Sequence, residues 1–166
     1  MLGSIVGVAV DATNAPAQNN LDHDEFGVGS LYMDSMGRIF RWVRVEDAAL
    51  SAGDVVYPAS GTASEWEVTN DVSGGSRVSD KVIGVAVAAC DDGNYCFIQI
   101  AGEGVVDLTT SGSVTAGAHV IGNTSADGAC VVGTAGTDDW AAFAIALAAD
   151  DGNTLSAGTY ILINNL

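Results

Sequence analysis

One phrase, used twice, constrains this chain more than any other feature. Residues 83–94 read IGVAVAACDDGN and residues 144–153 read AIALAADDGN. Each is a small apolar run that breaks on two aspartates, a glycine and an asparagine. Each is followed by a second apolar run, YCFIQI at 95–100 and TYILI at 159–163. Upstream of each lies a further echo, LSAGDVV at 50–56 and VTAGAHV at 114–120. Short runs separated by Gly, Asp and Asn turns are the pattern of β-hairpins. The sequence therefore predicts two related β-modules in tandem, at about 50–108 and 114–166.

Helix has little support. No amphipathic i, i+3, i+4, i+7 pattern runs beyond about two turns. The alanine-rich stretch 141–149 has good helix propensity. Its alternation, however, puts Phe143, Ile145 and Leu147 on one face and Ala on the other, which is strand-like. Residues 29–33 and 38–45 flank the turn-rich tetrapeptide Asp34-Ser35-Met36-Gly37, a good hairpin signal. Residues 46–51 have room for one short helical turn, and 54–57 and 64–69 are further strand expectations. The fold class expected is all-β: a small barrel or sandwich of two similar hairpin-containing modules with an extended N-terminal arm. In that organisation, 1–27 is an N-terminal strand or arm and linker, and 28–166 is the β domain. Residues 13–27 (TNAPAQNNLDHDEFG) are polar and aperiodic, so they read as a segment that orders only against a partner.

The 166 residues are enough for one domain to bury a core without a metal or disulfide staple. Net charge is −16, and all five basic residues fall between Arg38 and Lys81. Such a chain is repelled by phosphate backbones, so no nucleic-acid partner is expected. No apolar stretch approaches the roughly 20 residues that span a bilayer, so no membrane partner is expected. No Lys or Arg precedes Arg38, so the charged start of a secretory leader is missing. A hairpin turning at 91–94 would set Cys90 opposite Tyr95 and so place Cys90 and Cys96 on opposite faces. All three cysteines are expected to be free thiols.

Chemistry-bearing patterns are sparse. The pairs Asp91-Asp92, Asp138-Asp139 and Asp150-Asp151 have the composition of weak cation sites or of an acid–base pair. Two of them precede Gly-Asn, which favours plain turns. Asp22-His23-Asp24-Glu25 starts like a Ca²⁺ loop, but Phe26 and Met33 stand where ligands belong. Nucleophile elbows, zinc-helix motifs, P-loops and C-x-x-C are absent. The expectation is a non-enzyme with no catalytic residue, no cofactor and no metal. Residues 38–45 (RIFRWVRV) supply the partner-contact candidates. Arg38, Phe40, Trp42 and Arg44 share one face of a strand, and Trp and Arg are enriched in interface hot spots. The competing reading is that the arginines neutralise carboxylates of the same chain.

At 82–104 the sequence resembles the head decoration, or cement, proteins of tailed bacteriophages. The stretch Val82-Ile83-Gly84-Val85-Ala86-Val87-Ala88-Ala89, a polar turn, the run 95–100 and then Ala101-Gly102 is similar to the core of the lambda-type members. The phrase at 50–56 is similar to another strand of that family. The resemblance implies a non-enzymatic, compact, often trimeric β-protein on the outer capsid surface of the virion. Its partners would be the major capsid protein and further copies of itself as a homotrimer, and an N-terminal arm such as 13–27 would order on the shell. A carbohydrate-binding β-domain with Trp42, Trp66 and Trp140 over a groove, and a hydrolase using scattered carboxylates, are the alternatives.

Overall fold

Short runs of Val, Ile, Ala and aromatic residues, each cut by Gly, Asp or Asn, form strands and no α-helix among the described residues. The computed structural model describes residues 20–59, 66–73, 82–104, 108–109, 113–138, 141–149, 154–155 and 159–162. The strands are β1 Leu31–Met33, β2 Ile39–Val45, β3 Val55–Pro58, β4 Glu67–Thr69, β5 Gly84–Ala86 and β6 Tyr95–Glu103. They continue as β7 Leu108–Thr109, β8 His119–Gly122, β9 Cys130–Val132, β10 Ala144–Ala146, β11 Thr154–Leu155 and β12 Thr159–Leu162. The order β2-β4-β3-β5-β6 closes into a five-stranded barrel because β6 returns to β2. β4 lies parallel to β2, and every other neighbour in the barrel is antiparallel.

Two strands fork. The inner edge of β2 pairs with β6. Its outer edge pairs first with β1 (Leu31↔Arg41, Met33↔Ile39) and then with β4 (Arg44↔Glu67). The nine residues of β6 meet β5 at Ile98 and Gln99 and β12 at 101–103. From β12 the sheet continues through β10 and β8 to β9, while β7 and β11 form a separate pair.

The repeated phrase has a structural counterpart. In the first copy the order is β4-β3-β5-β6, and in the second it is β9-β8-β10-β12. The ladders match bond for bond. Gly53 N donates to Ala86 O (2.8 Å), as Gly117 N does to Ala146 O (2.7 Å). Ala86 N donates to Asp54 O and Ala146 N to Ala118 O, while Ile83 N donates to Val56 O and Phe143 N to Val120 O. Both leading glycines have positive φ, 90° and 80°, which admits the turn before β3 and before β8. This pairing leaves Cys90 with no counterpart before the shared Asp-Asp-Gly-Asn. Phe143–Ala149 contains strand β10 and no helix, as alternation predicted.

The two copies share one core. Val43, Val45, Val55, Val56, Tyr57, Ile98 and Ile100 from the barrel pack in one cluster with Val120, Cys130, Phe143 and Ala146. Besides the β6–β12 ladder, the copies are stitched among the described residues by Tyr57 Oη to Asn123 O (3.3 Å), Val55 N to Gly128 O (2.8 Å), Gly128 N to Asn70 O (3.1 Å) and Val72 N to Asp127 Oδ1 (2.9 Å). A smaller cluster of Phe40, Trp42, Val87 and Phe97 lies on the other face of β2 and β6. Both faces of these two strands are therefore buried.

Three sequence expectations are corrected. First, residues 46–51 make no helical turn: Asp47 has φ 71° and Leu50 pairs with Cys90. Second, the last part of the expected arm does not wait for a partner. Leu21 bridges Tyr95, and Leu21 and Phe26 cover the aromatic cluster. Residues 1–19, the rest of that arm, lie outside the described residues. Third, Cys90 and Cys96 do not face apart. The β5–β6 register pairs Val85 with Gln99 and Ala86 with Ile98. Extended to the turn, it opposes Cys90 to Asn94 rather than Tyr95, and a one-residue slip exchanges the faces. The thiols of Cys90 and Cys96 are accordingly hydrogen-bonded neighbours.

All three cysteines are free and buried. The hydrogen bond between Cys90 and Cys96 lowers the Cys90 thiol and, with burial, pushes Cys96 well up. Burial pushes the Cys130 thiol to about 12, and burial is what shields Cys90. A colourless thiol-exchange reagent should therefore leave the native protein unreacted and titrate three thiols once it is unfolded. Fast release from the native protein would contradict the burial of these side chains.

Candidate functional surface

β2 decides where the functional residues sit. Phe40 and Trp42 are 0% exposed. Trp42 stacks edge-on with Phe26 (centroids 4.8 Å) and lies 4.8 Å from Phe97, and its Nε1 donates to Asp24 Oδ1 at 2.8 Å. Arg38 is buried, with Nε 2.5 Å from Asp34 Oδ2. Arg44 pairs with Glu46 and, at 3.4 Å, with Glu67. Arg38, Phe40 and Trp42 are thus buried inside the chain, and Arg44, 35% exposed, is paired with carboxylates of the same chain. The physical reason is that β2 is covered on the face that alternation singled out.

The opposite phase of the same strand comes out at the fork. Arg41 lies over the Trp66 ring, its guanidinium carbon 4.0 Å from the centroid, a contact worth about 0.5–2 kcal/mol. Its Nε is buried without a hydrogen-bond acceptor. Burial pulls its pKa below the ordinary value. Among the described arginines, Arg38 and Arg44 have carboxylate partners and Arg41 has none. Gly29, with φ 86°, leaves space for Trp66: a Cβ there would stand 2.6 Å from the indole Nε1. Residues directly opposite in an antiparallel pair share a face. Leu31 and Met33, 52% and 62% exposed, therefore lie on the same side as Arg41 and Ile39. Arg41, Leu31 and Met33 escaped the sequence reading, which named Trp66 only as part of a sugar-binding platform. Alternation alone could not single out Arg41, because it shares its face of β2 with the buried Val43 and Val45.

The acidic motifs resolve into turns. Asp24 accepts from Gly27 N, Val28 N and Trp42 Nε1, which fixes the segment over the aromatic cluster. Asp22 and His23 form an exposed pair (2.9 Å), and that hydrogen bond raises the imidazole pKa. At the first repeated turn, Asn94 N donates to Asp91 O. Asn20, with φ 69°, clamps the turn: its Nδ2 donates to Asp91 Oδ2, and its Oδ1 accepts from Asp91 N and Asn94 Nδ2. Asp138 accepts from Thr134 N (2.8 Å). Its neighbour Asp139 and the pair Asp150-Asp151 lie outside the described residues. Asp54 is buried between the copies, where Ser51 N and Asn70 Nδ2 donate to Oδ2. Burial raises its pKa against those two bonds, and the nearby Asp127 carboxylate adds to the rise. No group of three His, Cys, Asp or Glu side chains is placed to hold a metal among the described residues.

A shallow cleft of about 280 Å³ lies beside β8, lined by Thr115, Gly117, Ala118, His119, Val132, Gly133 and Ala135. It has no aromatic platform for a sugar ring. Trp42 is buried, Trp66 is covered by Arg41, and Trp140 lies outside the described residues. No helix among the described residues is long and apolar enough to cross a membrane.

No family model matches the sequence, and no curated protein sequence matches it. Among solved structures, the chain is similar to the N base of the head fiber gp8.5 of bacteriophage phi29. The TM-score is 0.51 at 13% identity, over 75% of this chain and 93% of that one. At that identity the likeness is one of fold.

Proposed function

We propose that this chain is a structural protein of a bacteriophage virion. In this reading it sits on the outer surface of the head and binds the major capsid protein as a homotrimer, without enzymatic activity. The observation that carries the reading is the fold. A small barrel with an appended sheet is shared with the base of a phage head fiber across nearly the whole of that domain. The sequence resemblance to capsid decoration proteins points to the same class of virion component from a different part of the chain. Two properties fit the role. A net charge of −16 keeps many copies soluble before assembly and resists chance aggregation. Closure of β6 on β2 leaves the five-stranded barrel itself without a free edge for unwanted strand pairing.

The experiment is sedimentation. Heads of the parent virus that lack this protein are mixed with the purified chain, pelleted, and assayed for bound copies and for resistance to heat. Saturable binding with a copy number set by the lattice, together with slower DNA release on heating, is expected. Failure to pellet with such heads would remove the proposed role.

A further inference from the structure

The fork between β1 and β4 combines three features that call for the same occupant. β1 ends the ten-stranded sheet, so its outer edge has no strand beside it among the described residues. Ser30 and Asp34 exchange bonds with Trp42 and Arg38 (Trp42 N to Ser30 O, Asp34 N to Arg38 O). By alternation, the backbone groups of Leu31 and Met33 point to the open edge. On the face beside that edge lie exposed Leu31 and Met33, and Met36 at the hairpin tip is 68% exposed. Next to them lies Arg41, a cation without a carboxylate partner among the described residues of a strongly acidic chain. An extended segment that is apolar along its length and acidic at one end would satisfy all three.

The chain carries one such segment in its own sequence. Residues 5–10 read IVGVAV, rich in β-branched side chains, and Asp11 follows as the first charged side chain of the chain. The next charge is Asp22. The described chain starts at Asn20, bonded to Tyr95 O beside the Asp91–Asn94 turn, and Leu21 then packs on the aromatic face of β2, the side away from Arg41. A chain's own segment would have to double back around the edge it is to pair with, whereas a neighbour's need not. Nineteen residues upstream of Asn20 span up to about 60 Å when extended, more than enough to reach an adjacent copy.

We infer that residues 5–11 of a second copy add to the outer edge of β1 as an antiparallel strand, seating Asp11 on Arg41. The antiparallel sense brings Asp11 to the Gly29 end of β1, where the guanidinium lies over Trp66, and runs residues 5–10 along Leu31 and Met33. The contact is directional, and three such donations close a ring where each turns the next copy by a third of a circle. It also places the meeting of two strongly acidic chains at an uncompensated cation, where their repulsion is least. The inference concerns self-association alone and stands whether or not the chain binds a phage head.

The test is the solution mass of the full chain by sedimentation equilibrium, for the native sequence, Arg41→Glu, Asp11→Arg, and the two together. Native protein is expected to self-associate. Each single substitution should weaken association by about tenfold or more, and the exchanged pair should regain most of it. A synthetic peptide of residues 3–13 should dissociate the native oligomer, which tests the site without altering the fold. A native protein that stays monomeric at high concentration overturns the inference. So do single variants that associate normally, and so does a double variant no better than either single one. Circular dichroism of each variant, unchanged from native, assigns the mass changes to the interface. Should Arg41→Glu unfold the chain, Asp11→Arg and the peptide still decide.

Discussion

Replacing Trp42 by alanine is expected to destabilise the fold by about 3–5 kcal/mol, the range for deleting a large buried aromatic side chain. Three properties of the site place it in that range. Trp42 is 0% exposed. It is the centre of a cluster with Phe26, Tyr95 and Phe97, so the neighbours cannot all collapse into one void. Its Nε1 also holds Asp24, whose carboxylate fixes Gly27 N and Val28 N, so the substitution loosens the segment that covers the cluster. Phe26→Ala should show part of the same loss, and the two should be non-additive because they remove one contact. Urea midpoints of both variants and the double variant measure this. A cost below about 1 kcal/mol for Trp42→Ala would mean that the aromatic cluster is not a core. Had Trp42 been an exposed anchor, the same substitution would have changed binding and left folding stability nearly intact.

That contrast explains what could be read in the sequence. The hairpin at 34–37 was legible because its chemistry is local: Asp34 accepts from Met36 N and Arg38 N, and Gly37 takes φ 78°. The repeat was legible because glycine turns and small apolar runs recur at matching places. The phase of β2 was not. A strand with both faces buried carries apolar or paired side chains on each, so period two cannot say which face looks outward. Here the aromatics at 40 and 42 lie under Leu21 and Phe26, residues some twenty positions away in a polar stretch. Only the closure of β6 on β2, more than fifty residues apart in sequence, decides the matter. The face of Cys90 was lost for a related reason: it depended on a single residue of register at one turn. Arg41 over Trp66 was hidden because the fork at β2 brings together two strands of opposite direction that share no sequence pattern.

Replacing Arg38 by methionine is the second large effect, expected to cost about 3 kcal/mol. Arg38 and Asp34 are both buried, with their side chains 8% and 4% exposed. Removing one partner of a buried ion pair costs about 3–5 kcal/mol because the other charge is left behind. The low end applies here, since Asp34 keeps its bonds from Met36 N and Arg38 N. Packing adds to the loss: a Cβ on Gly102, which has φ 93°, would lie 2.9 Å from Arg38 Cα and Cγ, so the arginine stem fills the space beside β6. The pair also sets a pH dependence. Burial pushes the Asp34 carboxyl up, but the Arg38 and Met36 hydrogen bonds and the guanidinium charge outweigh it, and its pKa is lowered overall. A depressed carboxyl pKa contributes stability above its unfolded value, near 4, and loses that stability as pH falls through the folded value. Native protein should therefore lose stability on acidification below about pH 4, and Arg38→Met should lose less over the same interval. Arg44→Met, which removes a 35% exposed arginine from Glu46 and Glu67, should cost only about 0–1 kcal/mol. Urea titrations of the three proteins from neutral to acid pH measure both quantities. Equal costs for Arg38→Met and Arg44→Met, with the acid limb of Arg38→Met parallel to the native one, would show that the Asp34–Arg38 pair is no more consequential than a surface contact.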